Sequence, residues 1–169
     1  MSRNSWNSNP YSKFGSKKIK SKTGLEYASR ILAKRDYSEK ELKKKIADHF
    51  GWEEAEETIE KLKDYGYLDD ERYREVYILS RVRSGYGPFR ISGDLYEKGL
   101  DDSLDDLDEI CEKSHIDRTA ILRDNIKRYL ERKNIEDNYE LKQKCTAYFY
   151  RRGHSLESVK RILDEELDR

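Results

Sequence analysis

A degenerate repeat of paired apolar residues constrains this chain more than any other feature. Leu42 and Ile46, Ile91 and Leu95, and Cys145 and Phe149 are each four residues apart. Each pair sits on a short helical run, and a glycine turn closes the run at Gly51, Gly99 or Gly153. A second short helical run follows each turn. The first member of the pair recurs after 49 and then 54 residues, so the unit is repeated but not in strict register. A supersecondary unit of this size covers its apolar face only by packing against partner helices and a neighbouring unit. The pattern predicts an all-α, elongated tandem array of three tri-helical repeats.

Local signals place the helices. Leu25, Ala28, Ile31 and Leu32 share one face of a first helix expected over roughly Leu25 to Arg35. Ser38 with Glu41 forms a capping box ahead of Leu42 and Ile46. A third helix carries Ala55, Ile59 and Leu62 and stops at Gly66. Asp69 and Asp70 open the next helix with acid at its positive end. Its core face is expected to be Tyr73, Val76, Tyr77 and Ser80. Pro88 suits the first turn of a helix. Later helices carry Leu104, Leu107, Ile110 and Cys111, then Ile121, Leu122, Ile126, Tyr129 and Leu130. Ser155 caps a last helix carrying Leu156, Val159, Ile162 and Leu163. The expected divisions are a basic, disordered tail over 1–23, and repeats over 24–68, 69–114 and 115–169.

Charged residues make up 41% of the chain, against roughly 25% in an average domain, and apolar residues only 35%. Three small cores suit that balance better than one large core. The net charge is zero, but it is segregated. Residues 1–25 hold six cations and no acid, 26–117 carry a net −9, and 118–161 a net +6. Such asymmetry points to a polyanion or a charged protein surface as partner.

The chain has no apolar run long enough to cross a bilayer and no leader-like N-terminus. Cys111 and Cys145 are outside any metal or redox spacing, and His49, His115 and His154 are scattered, so no metal, cofactor or catalytic residue is expected. The acidic run from Asp101 to Glu109 lacks the glycine and ligand spacing of a calcium loop and reads as a solvated face. Basic residues cluster at the repeat turns. The candidate partner-binding or DNA-binding residues are Lys34, Arg35, Arg81, Arg83, Arg90, Lys98, Arg151 and Arg152.

Two motifs in order resemble a known family. Gly66-Tyr67-Leu68-Asp69-Asp70-x-x-Tyr73 is followed by Gly85-x-Gly87-Pro88-x-Arg90-Ile91-x-x-x-Leu95-x-x-Lys98-Gly99. With the ending Tyr148-Phe149-x-Arg151-Arg152-Gly153-x-Ser155-x-x-x-Val159, the chain resembles RecX regulatory proteins over about residues 25–165. The resemblance implies a bacterial, cytoplasmic, monomeric protein without enzyme activity or cofactor. It implies binding to the RecA recombinase filament on DNA, with weak DNA contact mainly inside that filament. Damping of ATP hydrolysis, strand exchange and coprotease activity in DNA repair and the SOS response would follow. The residues themselves leave two other readings open, a non-enzymatic DNA-binding protein and a helical protein-interaction scaffold.

Overall fold

In a computed structural model, which describes residues 21–133 and 138–167, every regular element is a helix. In chain order they are α1 (Gly24–Leu32), α2 (Glu39–Phe50), α3 (Trp52–Asp64), α4 (Asp70–Arg83), α5 (Pro88–Lys98), α6 (Leu107–Lys113), α7 (Arg118–Glu131), α8 (Asn138–Arg151) and α9 (Leu156–Leu167). The caps explain the starts. Ser38 and Glu41 form the reciprocal capping box, and the Asp69 and Asp117 carboxylates accept the Arg72 and Ala120 N–H groups. Ser155 Oγ accepts the Ser158 N–H at the start of α9.

Three separate apolar clusters form the core. The first joins α1, α2 and α3, the second α4, α5 and α6, and the third α7, α8 and α9. The repeating pairs Leu42/Ile46, Ile91/Leu95 and Cys145/Phe149 lie at their centres, each residue at most 1% exposed. Each cluster holds only seven or eight buried residues. Small cores of this kind depend on what joins one unit to the next.

Three expectations change in detail. First, α1 ends at Leu32, because the chain turns at Ala33, where the Lys34 N–H bonds the Ile31 carbonyl. Second, the expected tail falls outside the described residues apart from 21–23, and Thr23 belongs to the fold as the N-cap of α1. Third, the core face of α4 is Arg74, Ile78 and Val82, while Tyr73 and Tyr77 are half-buried and Val76 is 53% exposed. The face was misread because an arginine occupies one of its core positions.

Arg74 is 7% exposed. Its guanidinium is held by both oxygens of Asp106, at 2.8 and 2.9 Å, and by the Asp101 and Ser103 carbonyls. The acidic run therefore wraps a buried cation, rather than being only solvated surface. In the last helix, Leu156 is 45% exposed and the core is left to Val159, Ile162 and Leu163.

Candidate functional site

Helix ends meet at both junctions between units, and the same repeat positions meet each time. At the first junction the C-terminus of α5 abuts the N-terminus of α2. Ser38 Oγ donates to the Lys98 carbonyl at 2.7 Å, and Lys98 Nζ pairs with Glu41 at 2.8 Å. At the second junction the C-terminus of α8 abuts the N-terminus of α5. The Gly87 N–H donates to the Arg152 carbonyl at 2.8 Å, and the Phe89 N–H to the Gly153 carbonyl at 3.1 Å. Ser38 and Gly87 are both N-caps, 49 residues apart. Lys98 and Arg152 are each followed by a left-handed or positive-φ glycine, 54 residues apart. The helices α8, α5 and α2 thus run head to tail, and the carbonyls left over at one helix end meet donors left over at the next. Their dipoles are aligned in the favourable sense.

The second junction has no spare room. A Cβ on Gly87 would lie 2.2 Å from the Gly153 carbonyl oxygen, and one on Gly153 would lie 2.3 Å from the Arg90 backbone nitrogen. Gly153 also has φ +90°, which a side chain would strain.

These junctions decide the roles of the candidate cations. Arg152 reaches across to the Gly85 carbonyl at 3.1 Å and to the Ser84 carbonyl, and its guanidinium carbon lies 4.4 Å from the centre of the Tyr86 ring. Arg81 lies 4.1 Å from the same ring and pairs with Asp94, as does Arg90 at 2.9 Å. Asp94 is itself buried and also accepts the Tyr77 hydroxyl at 3.2 Å. Lys98 lies 5.0 Å from the centre of the Tyr77 ring. Burial pushes the Glu41 carboxyl up, but the hydrogen bond and charge of Lys98, with the Ser38 N–H, hold it below its ordinary value.

Lys98 and Arg152 therefore fasten the array, Arg81 braces the second unit through Asp94, and Arg90 is shared between Asp94 and solvent. Arg35 stacks on Tyr37 at 4.2 Å beside the first junction. Arg83, Arg151 and Lys34 are exposed and make no ion pair among the described residues. The structure brings Arg81, Arg83, Arg90 and Arg152 together around the Gly85–Gly87 turn. It does not bring Lys34 or Arg35 there. Sequence reasoning marks Tyr86 as a junction tyrosine, core edge or contact, but misses Asp94 as an anchor of that cluster. A carboxylate on an otherwise apolar face, four residues after Arg90, was the available signal.

His154 is buried at the same junction, with Nε2 3.2 Å from the Gly85 carbonyl oxygen. Burial depresses its pKa, and nearby Arg152 and Arg118 act in the same direction. Cys111 and Cys145 are buried free thiols, and burial pushes Cys145 up to about 12, which keeps it protonated and a poor nucleophile. Among the described residues no three His, Cys, Asp or Glu side chains converge as metal ligands, and no helix is long and apolar enough to cross a membrane.

This geometry defines a class: a tandem array of three-helix units, stapled end to end through equivalent repeat positions of its own sequence, with cations concentrated at one junction. Comparison with known proteins narrows the class. The model of the RecX second three-helix domain matches residues 69–106. The protein named "Regulatory protein RecX" of Escherichia coli (strain SE11) is 35% identical over 150 residues, covering 82% of this chain and 88% of that one. Its namesake in Shigella boydii serotype 4 is 34% identical over 149 residues, with the same coverage. The crystal structure of RecX from Lactobacillus salivarius shares the fold, with a TM-score of 0.63 at 21% identity over 84% of this chain and 93% of that chain. The chain belongs to the RecX family of regulatory proteins.

Proposed function

We propose that this chain binds the RecA recombinase filament on DNA and acts as its modulator, mainly as an inhibitor of ATP hydrolysis, strand exchange and coprotease activity. It does so as a cytoplasmic monomer without cofactor, in DNA repair and the SOS response. Membership of the RecX family carries this reading. The three units, taken as 24–68, 69–114 and 115–169, are the repeated contact modules.

The end-to-end stapling of α8, α5 and α2 supports a mechanism. A filament presents the same surface at regular steps. Units linked at set spacing engage successive steps as intramolecular events, which raises avidity without new contacts. A stiff bridge across neighbouring protomers favours one filament conformation and so opposes the cycle that nucleotide turnover requires. Arg83 and Arg151, exposed and free of ion pairs among the described residues, are among the cations available for a filament carboxylate or phosphate. Arg81 and Arg152 are held nearby, both on the Tyr86 ring and Arg81 also by Asp94.

The test is co-sedimentation with recombinase filaments on single-stranded DNA, together with recombinase ATPase. Full-length protein is expected to pellet with filaments and to slow ATP hydrolysis. Arg83→Glu with Arg151→Glu is expected to lose both while keeping its helical circular dichroism. Failure of the unaltered protein to pellet or to inhibit refutes the function. Full inhibition by the folded double variant refutes the assigned face.

A further inference from the structure

We propose that the cleft between α7 and α8 in the third unit is a binding site for single-stranded nucleic acid, with phosphates held by Arg128, Arg132 and Lys133 and bases stacked against Tyr129 and Tyr148. This goes beyond the filament reading and stands or falls separately from it. The cleft has a volume of about 290 Å³, and among the described residues no carboxylate lines it. Arg128 and Tyr129 stand on the last turn of α7, Arg132 and Lys133 just past its end, and Tyr148 lines the same cleft from α8.

Arg152, also in the lining, is committed to the Ser84 and Gly85 carbonyls, but the other cations of the cleft are not. Among the described residues Arg128, Arg132, Lys133 and the adjoining Arg151 make no ion pair, whereas Arg123 on the same helix is paired with Glu165 and Glu166. The side-chain bond of Arg128 goes to its own helix, from Nε to the Asp124 carbonyl at 3.2 Å. Arg151 lies close enough to the Tyr129 hydroxyl to act on it electrostatically. Cations at a helix C-terminus are expected to offset its dipole, but each helix end presents only about half a negative charge. Two such ends account for roughly one of the four cations. The surplus is complementary to a polyanion.

The tyrosines select among polyanions. The Tyr129 and Tyr148 rings lie 5.0 Å apart at 34° and form one half-exposed wall, with Lys133 5.5 Å from the Tyr129 ring centre. Aromatic platforms beside a basic track are the means by which unpaired strands are held, because every free base offers a face to stack. A duplex keeps its base faces covered, and an acidic peptide satisfies the cations but leaves the rings unused.

The experiment measures binding of full-length protein to labelled dT20, to a duplex of equal length and to polyglutamate, as a function of salt. The expected result is a preference for dT20 over both. Arg128→Gln/Arg132→Gln/Lys133→Gln is expected to lower dT20 affinity roughly a hundredfold at 0.1 M salt and to reduce the salt slope by about 2, from about 0.7 counterion per phosphate contact. Should the triple variant not fold, Arg132→Gln and Lys133→Gln singly are each expected to cost about fivefold on the same basis. A dT20 carrying 5-iodouracil is expected to crosslink to Tyr129 or Tyr148. Wild-type affinity in the folded variants, equal binding of duplex or polyglutamate, or crosslinks confined to other residues overturns the proposal. A folded triple variant that loses dT20 but still inhibits recombinase ATPase supports the cleft and leaves the filament reading intact.

Discussion

Replacing Gly87 by alanine is expected to pry the second and third units apart while leaving each unit folded. The backbone at Gly87 has φ −88° and ψ 167°, which alanine adopts without strain. The obstacle is the neighbour. The new methyl would lie 2.2 Å from the Gly153 oxygen, 2.3 Å from its carbonyl carbon and 2.4 Å from the His154 nitrogen, and none of these backbone atoms can swing aside as a flexible side chain would. The junction must open, and the first bonds to go are Gly87 N–H to Arg152 O and Phe89 N–H to Gly153 O.

Two backbone bonds are worth about 1 kcal/mol each. If separation also breaks the bonds of Arg152 to Ser84 and Gly85 and that of His154 to Gly85, the total reaches roughly 7 kcal/mol, counting bonds from a charged group at about 2 each. Partial opening relieves the clash, so the expected loss is about 2–4 kcal/mol. The loss of a glycine N-cap contributes up to about 1 kcal/mol of that by itself. Gly93 supplies the control on the same helix, since a Cβ there meets nothing within 4 Å. Gly93→Ala is expected to stabilise by about 0.5–1 kcal/mol, the ordinary gain of alanine inside a helix. Urea and thermal unfolding followed by circular dichroism read both. Gly87→Ala is expected to lower Tm by roughly 5–15 °C and to broaden or split the transition as the third unit uncouples. A loss below about 1 kcal/mol with one sharp transition would refute the junction argument, since the cap alone explains that much.

Two other perturbations probe the buried charges and the same junction. Arg74→Ala is expected to destabilise by about 3 kcal/mol, because it leaves Asp106 and the Asp101 and Ser103 carbonyls without their donor; equilibrium denaturation within 0.5 kcal/mol of wild type refutes this. The hydrogen bond from Arg74 holds the Asp106 carboxyl below its ordinary value, so its contribution is present above the usual carboxylate pKa and is lost as pH falls below it. His154 has a depressed pKa in the fold, so the unfolded chain takes up a proton first as pH drops below about 6.5. Stability is expected to fall from pH 7 towards pH 5, and His154→Gln is expected to flatten that slope; an unchanged slope in the variant counts against His154 as its source.

Local chemistry made much of this protein legible in its sequence. The four-residue spacing of Leu42 and Ile46, Ile91 and Leu95, and Cys145 and Phe149 marks a buried stripe wherever a helix packs, and all six are buried. The caps at Ser38, Asp69 and Ser155 each act on the N–H group three residues away, so their neighbours in the chain suffice to find them. The alignment of Gly99 with Gly153 marked the two positions at which units meet. What the alignment could not supply was the partner across the junction.

The roles of the cations were decided by the tertiary structure. Arg74, Arg81, Lys98 and Arg152 are written with the same letters as Arg83 and Arg151, yet the first four fasten the fold and the last two face solvent. Lys98 finds Glu41 at a separation of 57 residues, and Arg152 finds the Gly85 carbonyl at 67. Whether a charge is solvated surface or buried fastener depends on the water around it and on the oxygen opposite it, and both are set by helices far away in the chain. Apolar periodicity belongs to a single helix and survives in the sequence, whereas the environment of a charge exists only once the units have docked.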